Sequence, residues 1–323
     1  MRKLWRRLAI SAAIAGIGVI SAHAENAPAG ADKTKIKDWA DPRPSAWTEA
    51  YPLFGPVTVG DGSLKRIQDN GTLKICAVTS SRPYLFLDTK TQEAIGSDAD
   101  FSKAVTEQLG IPKFTFVNVD FASLIPALSA NRCDVIINSL LIRSDRAKAP
   151  GVRYTTPYGL IFDELVVRKD SSHKTIEDLK GQKIASLTGS TDIDTLKAQV
   201  EAMGGGIDVV GFAGPNECYL AVVEKLAAGC FYDSGSTAGA LAQYDALHAL
   251  DKLFIYAPVG KYAHESATNP YVLGSVGMIT HAADNDLNRA LSIVLANMAA
   301  DGSQKRILQK WGMWHDGEEK MVR

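Results

Sequence analysis

Two segments of this chain carry residue types able to hold a small anion. The first is Leu124 to Arg146. Leu124, Ile125 and Leu128 fall at helical spacing, Ala130-Asn131-Arg132 breaks the run, and Asp134-Val135-Ile136-Ile137 reads as a strand. Asn138, Ser139 and then Arg146 follow its carboxyl end. Ligands of open α/β sheets sit just outside the carboxyl ends of strands, and a guanidinium there can grip a carboxylate through two parallel hydrogen bonds. The second segment is Gly189-Ser190-Thr191, between an apolar run and a helical pattern. Free N–H groups at a helix start attract anions, and the two hydroxyls add donors. Each segment also has a purely structural explanation. Arg146 with Asp145 reads as a solvated pair, and Thr191 with Asp194 reads as a helix cap. Arg82 and Arg143 are further loop arginines.

Other chemistry finds little support. The chain has no GxSxG, no HExxH, no CxxC and no phosphate loop, and its six histidines are scattered. Asp98, Asp100 and Asp120 lie near loops and read as solvated or capping residues. No catalytic residue, metal ligand or cofactor is expected.

The elements that would position these residues form two similar series. The first predicts helix 63–70, strand 73–78, helix 97–109, strand 114–119, helix 121–130 and strand 134–138. The second predicts strand 164–168, a short helix 175–179, strand 183–187, helix 192–203, strand 209–210, helix 217–228, strand 230–232, helix 238–250 and strand 253–256. Two helices around Asp301-Gly302 close the chain. Strands alternating with helices at short spacing predict an α/β fold with mostly parallel sheets. Residues 25–60, rich in proline and bearing Trp39, Trp47, Tyr51 and Phe54, read as an extended arm.

The first 24 residues combine a basic start (Arg2, Lys3, Arg6, Arg7), an apolar run from Leu8 to Ile20 and the small-residue site Ala22-His23-Ala24. That is the pattern of a secretory leader, and no lipid-attachment cysteine follows it. Its removal would leave 31 basic against 36 acidic side chains, net −5. A nucleic-acid or anionic-membrane partner is therefore not expected. Cys76, Cys133, Cys218 and Cys230 allow three pairings. The predicted helix between Cys218 and Cys230 would span roughly 15 Å, against the limit of about 7 Å between bridged Cα atoms, and so argues against that pair.

Eight stretches, in order, resemble the polar amino-acid-type solute-binding proteins of bacterial ABC importers (family 3). They include GTLKICAV, PYLFLD, IGSDADFSKAVTEQLG, FASLIPAL, RCDVIINSLLIRSDRA, ELVVRKDSSHKTIEDLKGQKIASLTGST and MAADGSQKRILQKWG. The resemblance spans about 64 to 313. It implies the type II periplasmic-binding-protein fold: two lobes, 60–160 plus 272–323 and 161–271, joined by two crossovers near 159–162 and 266–272. A small carboxylate-bearing solute would bind between them. The protein would be a monomer of the periplasm that delivers its ligand to an inner-membrane ABC permease.

The family's carboxylate-binding arginine falls on Arg146, its polar strand end on Asn138 and Ser139, and its second-lobe loop on Gly189, Ser190 and Thr191. Other family positions depart. The acid after the first strand falls on Val78, the stacking aromatic on Ser81, and the hydroxyl positions before the arginine on Leu141 and Arg143. The second-lobe acid has no counterpart at the family spacing, which points nearer Gly235 or Ser236 than Asp233. The half of the site that would hold an ammonium group is thus open, and with Arg82 and Arg143 near the mouth an acidic or non-amino-acid carboxylate remains an alternative. Tyr84, Phe121 and Tyr158 are candidate wall residues. Two other functions share the scaffold: a sensory or accessory binding protein, and a cyclohexadienyl dehydratase-like enzyme.

Overall fold

A computed structural model describes residues 60–142, 146, 149–161, 163–250 and 274–314, with the backbone of 19–22. The arm at 25–59, the strand expected at 253–256 and the crossover expected at 266–272 lie outside the described residues.

In chain order the first strands are β1 (Val19–Ala22), β2 (Thr72–Ala77), the short β3 (Ser80–Ser81), β4 (Leu85–Leu87) and β5 (Ala94–Ile95), then β6 (Lys113–Asn118), β7 (Val135–Leu141) and β8 (Val152–Leu160). They are followed by β9 (Asp163–Arg168), β10 (Lys183–Leu187), β11 (Asp208–Phe212), β12 (Gly229–Asp233), β13 (Leu247–Ala249) and the returning β14 (Ser275–His281). One sheet has the order β1-β6-β2-β7-β14-β8 and a second the order β11-β10-β12-β9-β13, while β3, β4 and β5 form a small sheet of their own. Strand β1 lies within the expected leader and runs antiparallel along β6.

Both large sheets are mixed. Strands β6, β2 and β7 run parallel, as do β11, β10 and β12. The first sheet is antiparallel on both sides of its trio, through β1 and through β14 and β8, and the second on one side, through β9 and β13. The expected parallel pairing thus holds for a trio of strands in each sheet, with antiparallel strands added at the sides. The chain crosses between sheets at Ile161 and returns at Gly274, where Ile161 N donates to Gly274 O at 2.8 Å.

Apolar residues feed two cores per sheet, one on each face. Leu73, Ile75, Val135 and Ile137 pack with Phe101, Val105 and Leu291, whereas Cys76 and Ile136 face Leu124 and Leu128. Leu165 and Val167 pack with Leu196, whereas Val166 packs with Tyr219 and Val222. Helices covering both faces explain why β7 is buried at every position and reads as a continuous apolar run.

Three expected helices are shorter than the sequence suggests. The stretch at 121–130 opens as a 3-10 turn, Phe121–Ser123, before the helix Leu124–Ser129, and 175–179 contributes only the turn Glu177–Leu179. The helix Pro215–Val223 stops early because Lys225 takes φ 62° and the chain folds back, Leu226 N donating to Ala221 O at 2.8 Å. That turn brings Cys218 and Cys230 to 5.7 Å between Cα atoms, and they are bridged. A helix continuing to 228 would have kept these two cysteines apart, and the chain does not form it. Cys76 and Cys133 form the other disulfide. The helix expected at 238–250 is instead Ser234–Gln243, after which buried Leu247 enters the edge strand β13.

Candidate functional site

The carboxyl ends of β2 and β7 meet at one corner of the first sheet. Asn138 Oδ1 accepts from Val78 N at 2.7 Å, tying the two ends together. Strand β7 runs to Leu141 rather than stopping at Asn138, because a bulge lets it continue. Its register against β14 jumps between Gly277 and Ile279, opposite Leu140 and Ile136, and within the jump Ser139 adopts φ 44°. Bulges beside a site re-aim a side chain, and a left-handed serine persists only where its surroundings hold it. Here Ser139 N donates to Tyr158 Oη at 2.8 Å. Ser139 Oγ and Tyr158 Oη both donate to Asp98 Oδ1, at 3.0 and 2.8 Å. Asp98 is fully buried, not the solvated or capping residue expected from sequence. Burial pushes its carboxyl up to about 7, although the two donors work the other way.

On the second sheet, β10 leads through Gly189 into the helix Thr191–Ala202. Its cap is Ser190, whose Oγ accepts from Ile193 N at 3.2 Å, so the capping role falls one residue earlier than Thr191. Strand β12 ends at Asp233, directly paired with Asp163 of β9. Asp233 caps the helix Ser234–Gln243 by accepting from Ser236 N at 2.8 Å. Burial first, then the charge of Asp192, raise its carboxyl to about 7, against the donated bonds of Tyr84 and Ser236. Asp163 lies fully buried, and desolvation, the charge of Asp192, a hydrogen bond with Asp192 and the charge of Asp233 hold it well above the usual carboxylate range.

Between the sheets lies a small cavity of about 20 Å³, bounded by Ser81, Tyr84, Phe121, Asn138, Ser139 and Leu141 on one side and by Thr191, Asp192, Tyr232 and Asp233 on the other, with Arg146 and Ile161 completing it. Contacts across the cleft close it. Arg146 Nη2 donates to Gly189 O at 3.2 Å, and its guanidinium stands 5.4 Å from the Phe121 ring centroid. The Tyr84 hydroxyl donates to Asp233, and Asn216 Nδ2 donates to Ser80 O at 2.9 Å. Gly235 admits the Tyr84 hydroxyl where a Cβ would collide with it, and Gly239 lies against the Arg82 backbone.

The structure thus gathers Ser81, Tyr84, Asn138, Ser139, Leu141, Arg146, Thr191 and Asp233 around one cavity. Four expected residues stand differently. Arg82 lays its guanidinium 3.9 Å from the Phe86 ring centroid, and among the described residues it does not line the cavity. Gly189 contributes only its carbonyl to Arg146, and Ser190 spends its hydroxyl on the helix cap. Tyr158 supports Ser139 from beneath rather than forming a wall. Arg143 lies outside the described residues. Sequence reasoning missed Asp192, Tyr232 and Ile161 on the wall, and Asp163 and Asp98 behind it. Asp192 had a signal, since it directly follows Thr191 in the anion-type loop. No group of three metal-ligating side chains among the described residues could hold a metal ion.

Comparison with known proteins bears on this geometry. The family model of bacterial extracellular solute-binding proteins, family 3, matches residues 73–313. The histidine-binding periplasmic protein of Escherichia coli (strain K12) is 29% identical over 225 residues, covering 68% of this chain and 79% of that protein. ABC transporter arginine-binding protein 1 of the same strain is 27% identical over 220 residues, covering 68% and 82%. Among solved structures, an ancestral arginine-binding protein bound to arginine superposes with TM-score 0.62 at 26% identity, covering 75% of this chain and 98% of that one. An ancestral amino acid-binding protein described as a precursor of cyclohexadienyl dehydratase shares the fold at TM-score 0.64 and 24% identity, covering 77% and 99%.

Proposed function

The chain belongs to the bacterial extracellular solute-binding proteins, family 3, and from that premise we propose that it captures an amino acid in the periplasm for an ABC importer. The observation that carries this reading is the polarity of one cavity. Arg146 and Thr191 offer donors to a carboxylate, while Asp233 offers an acceptor to an ammonium group. An α-amino acid presents those two charges a few ångströms apart. The acid that sequence spacing left unassigned is thus supplied by Asp233. An acidic ligand, the alternative from sequence, would set a second negative charge against Asp192 and Asp233.

On this reading residues 1–24 are an export leader without a lipid anchor, the partner is an inner-membrane permease, and the mature protein works as a monomer. The lobes comprise 60–160 with 272–323, and 161–271, the ligand being gripped as they close. The protein binds without turnover. The relatives named above are described as binding proteins.

The test is a thermal-shift screen of amino acids, dicarboxylates and simple amines on the purified mature protein. A ligand at a hundredfold excess over its Kd should stabilise the fold by about 2.7 kcal/mol. Stabilisation by amino acids, and not by dicarboxylates or amines lacking a carboxylate, is the expected pattern. A response only to compounds without both charges would overturn the reading.

A further inference from the structure

Three carboxylates from three separate elements crowd the second-lobe wall. Asp163 opens β9, Asp192 stands in the first turn of the helix Thr191–Ala202, and Asp233 closes β12. All three are more than nine-tenths buried. Asp233 has donors in Tyr84 and Ser236. Asp192 has its hydrogen bond with Asp163, but its Oδ1 has no partner although the residue lines the cavity, and Asp163 Oδ2 behind it is likewise unpartnered. Native proteins rarely leave a buried carboxylate oxygen without a donor, and a residue carrying such an atom on a cavity wall marks where a donor from outside could fit.

Charge points to the kind of donor. Arg146 is the one cation among the described residues that bound the cavity. Once it holds the ligand's carboxylate and Asp233 holds the ammonium, a neutral amino acid would seal Asp192 in the cleft with its Oδ1 unpartnered and no cation left to meet it among the described residues that bound the cavity. Uncompensated buried charge is strongly unfavourable, whereas a charged donor on the ligand would satisfy it. The trio does not form a metal-binding group.

We propose that Asp163, Asp192 and Asp233 form a cation subsite selecting an amino acid with a second positive charge, Asp192 being the residue that meets that charge. The inference rests on the amino-acid reading above and goes further, since it names the ligand's net charge and the acids that read it. Asp163 acts through Asp192 and is a positioning residue.

Calorimetry on the mature protein with pairs of similar shape and different charge tests it: L-arginine against L-citrulline, and L-ornithine against L-glutamine. The cationic member of at least one pair should bind at least about tenfold more tightly than its neutral counterpart. Asp192→Asn should reduce that ratio to about threefold or less while the neutral member binds as well or better, a readout that simple unfolding would not give. Asp163→Asn should shrink the ratio in the same direction, and keeps the test open if the Asp192 variant fails to fold. Equal affinities within both pairs, a preference for the neutral members, or a ratio untouched by both substitutions overturns the cation subsite while leaving amino-acid capture intact. Failure of every amino acid to bind would sink the functional reading itself.

Discussion

Arg146 and Asp233 line one cavity, and on the proposed reading they divide the work of recognising a zwitterion. Arg146→Ala should weaken binding of the ligand found by screening by about 2–5 kcal/mol, because it removes one partner of a buried charge pair; calorimetry showing an unchanged Kd would remove Arg146 from the site. Asp98 governs a different property. Its carboxyl titrates near 7 in the folded protein but at the ordinary value, near 3.8, once unfolded. The folded state therefore holds more protons between those values, and stability contributed by this group is greatest below about 4 and is lost as pH rises to about 7. Asp98→Asn keeps an acceptor for Ser139 and Tyr158 but cannot ionise. It should stabilise the ligand-free protein at pH 8 by roughly 2–4 kcal/mol and lessen the fall between pH 4 and 7, to which Asp233, raised to the same range, also contributes, as read by urea melts across that range. The carboxylates of Asp61, Asp88, Asp170 and Asp178, which are lowered, act below that window.

Each disulfide fastens the elements that carry the site. Cys76–Cys133 clamps the end of β2 to the approach to β7, across 57 residues. Cys218–Cys230 joins the helix Pro215–Val223 to β12, three residues before Asp233, across 12 residues. Restriction of the unfolded chain grows with loop length, so replacing the first pair by serine should cost about 4 kcal/mol and the second about 3 kcal/mol. Denaturant melts of the two variants would check both magnitudes and their order; a larger loss from the shorter loop would mean that folded-state packing, rather than chain entropy, dominates. The bulge in β7 matters in another way. It coincides with the positive φ of Ser139, whose N–H and hydroxyl donate to Tyr158 and Asp98.

Closure is a property of the whole molecule. Tyr84 reaches across the cleft to Asp233 only because Gly235 leaves room, and Gly239, one turn later on the same helix face, lets the Arg82 backbone approach. Gly235→Ala lies within the helix Ser234–Gln243, so it should leave the fold intact while placing a methyl group against the Tyr84 hydroxyl. We expect the ligand to bind at least about tenfold more weakly, with loss of the ligand-induced decrease in radius of gyration in small-angle scattering. Normal compaction with normal affinity would show that this helix does not limit closure.

Much of this architecture was legible in the chain because it depends on local pattern. The helix Ser63–Asn70, ended by Gly71, and the strand Lys183–Leu187 follow from apolar spacing and a glycine able to take positive φ. Arg146 and Thr191, which the structure brings to one cavity, stood out in the sequence because few residue types offer donors to an anion. What sequence could not decide was which acids face inward. Asp98, Asp163, Asp192 and Asp233 look like any solvated aspartate until strand order sets β12 beside β9 and the helix start over both. Likewise, the Cys218–Cys230 bridge depended on a helix ending one turn sooner than its apolar pattern suggested. Burial is a property of packing between elements distant in sequence, so only the tertiary structure determined it.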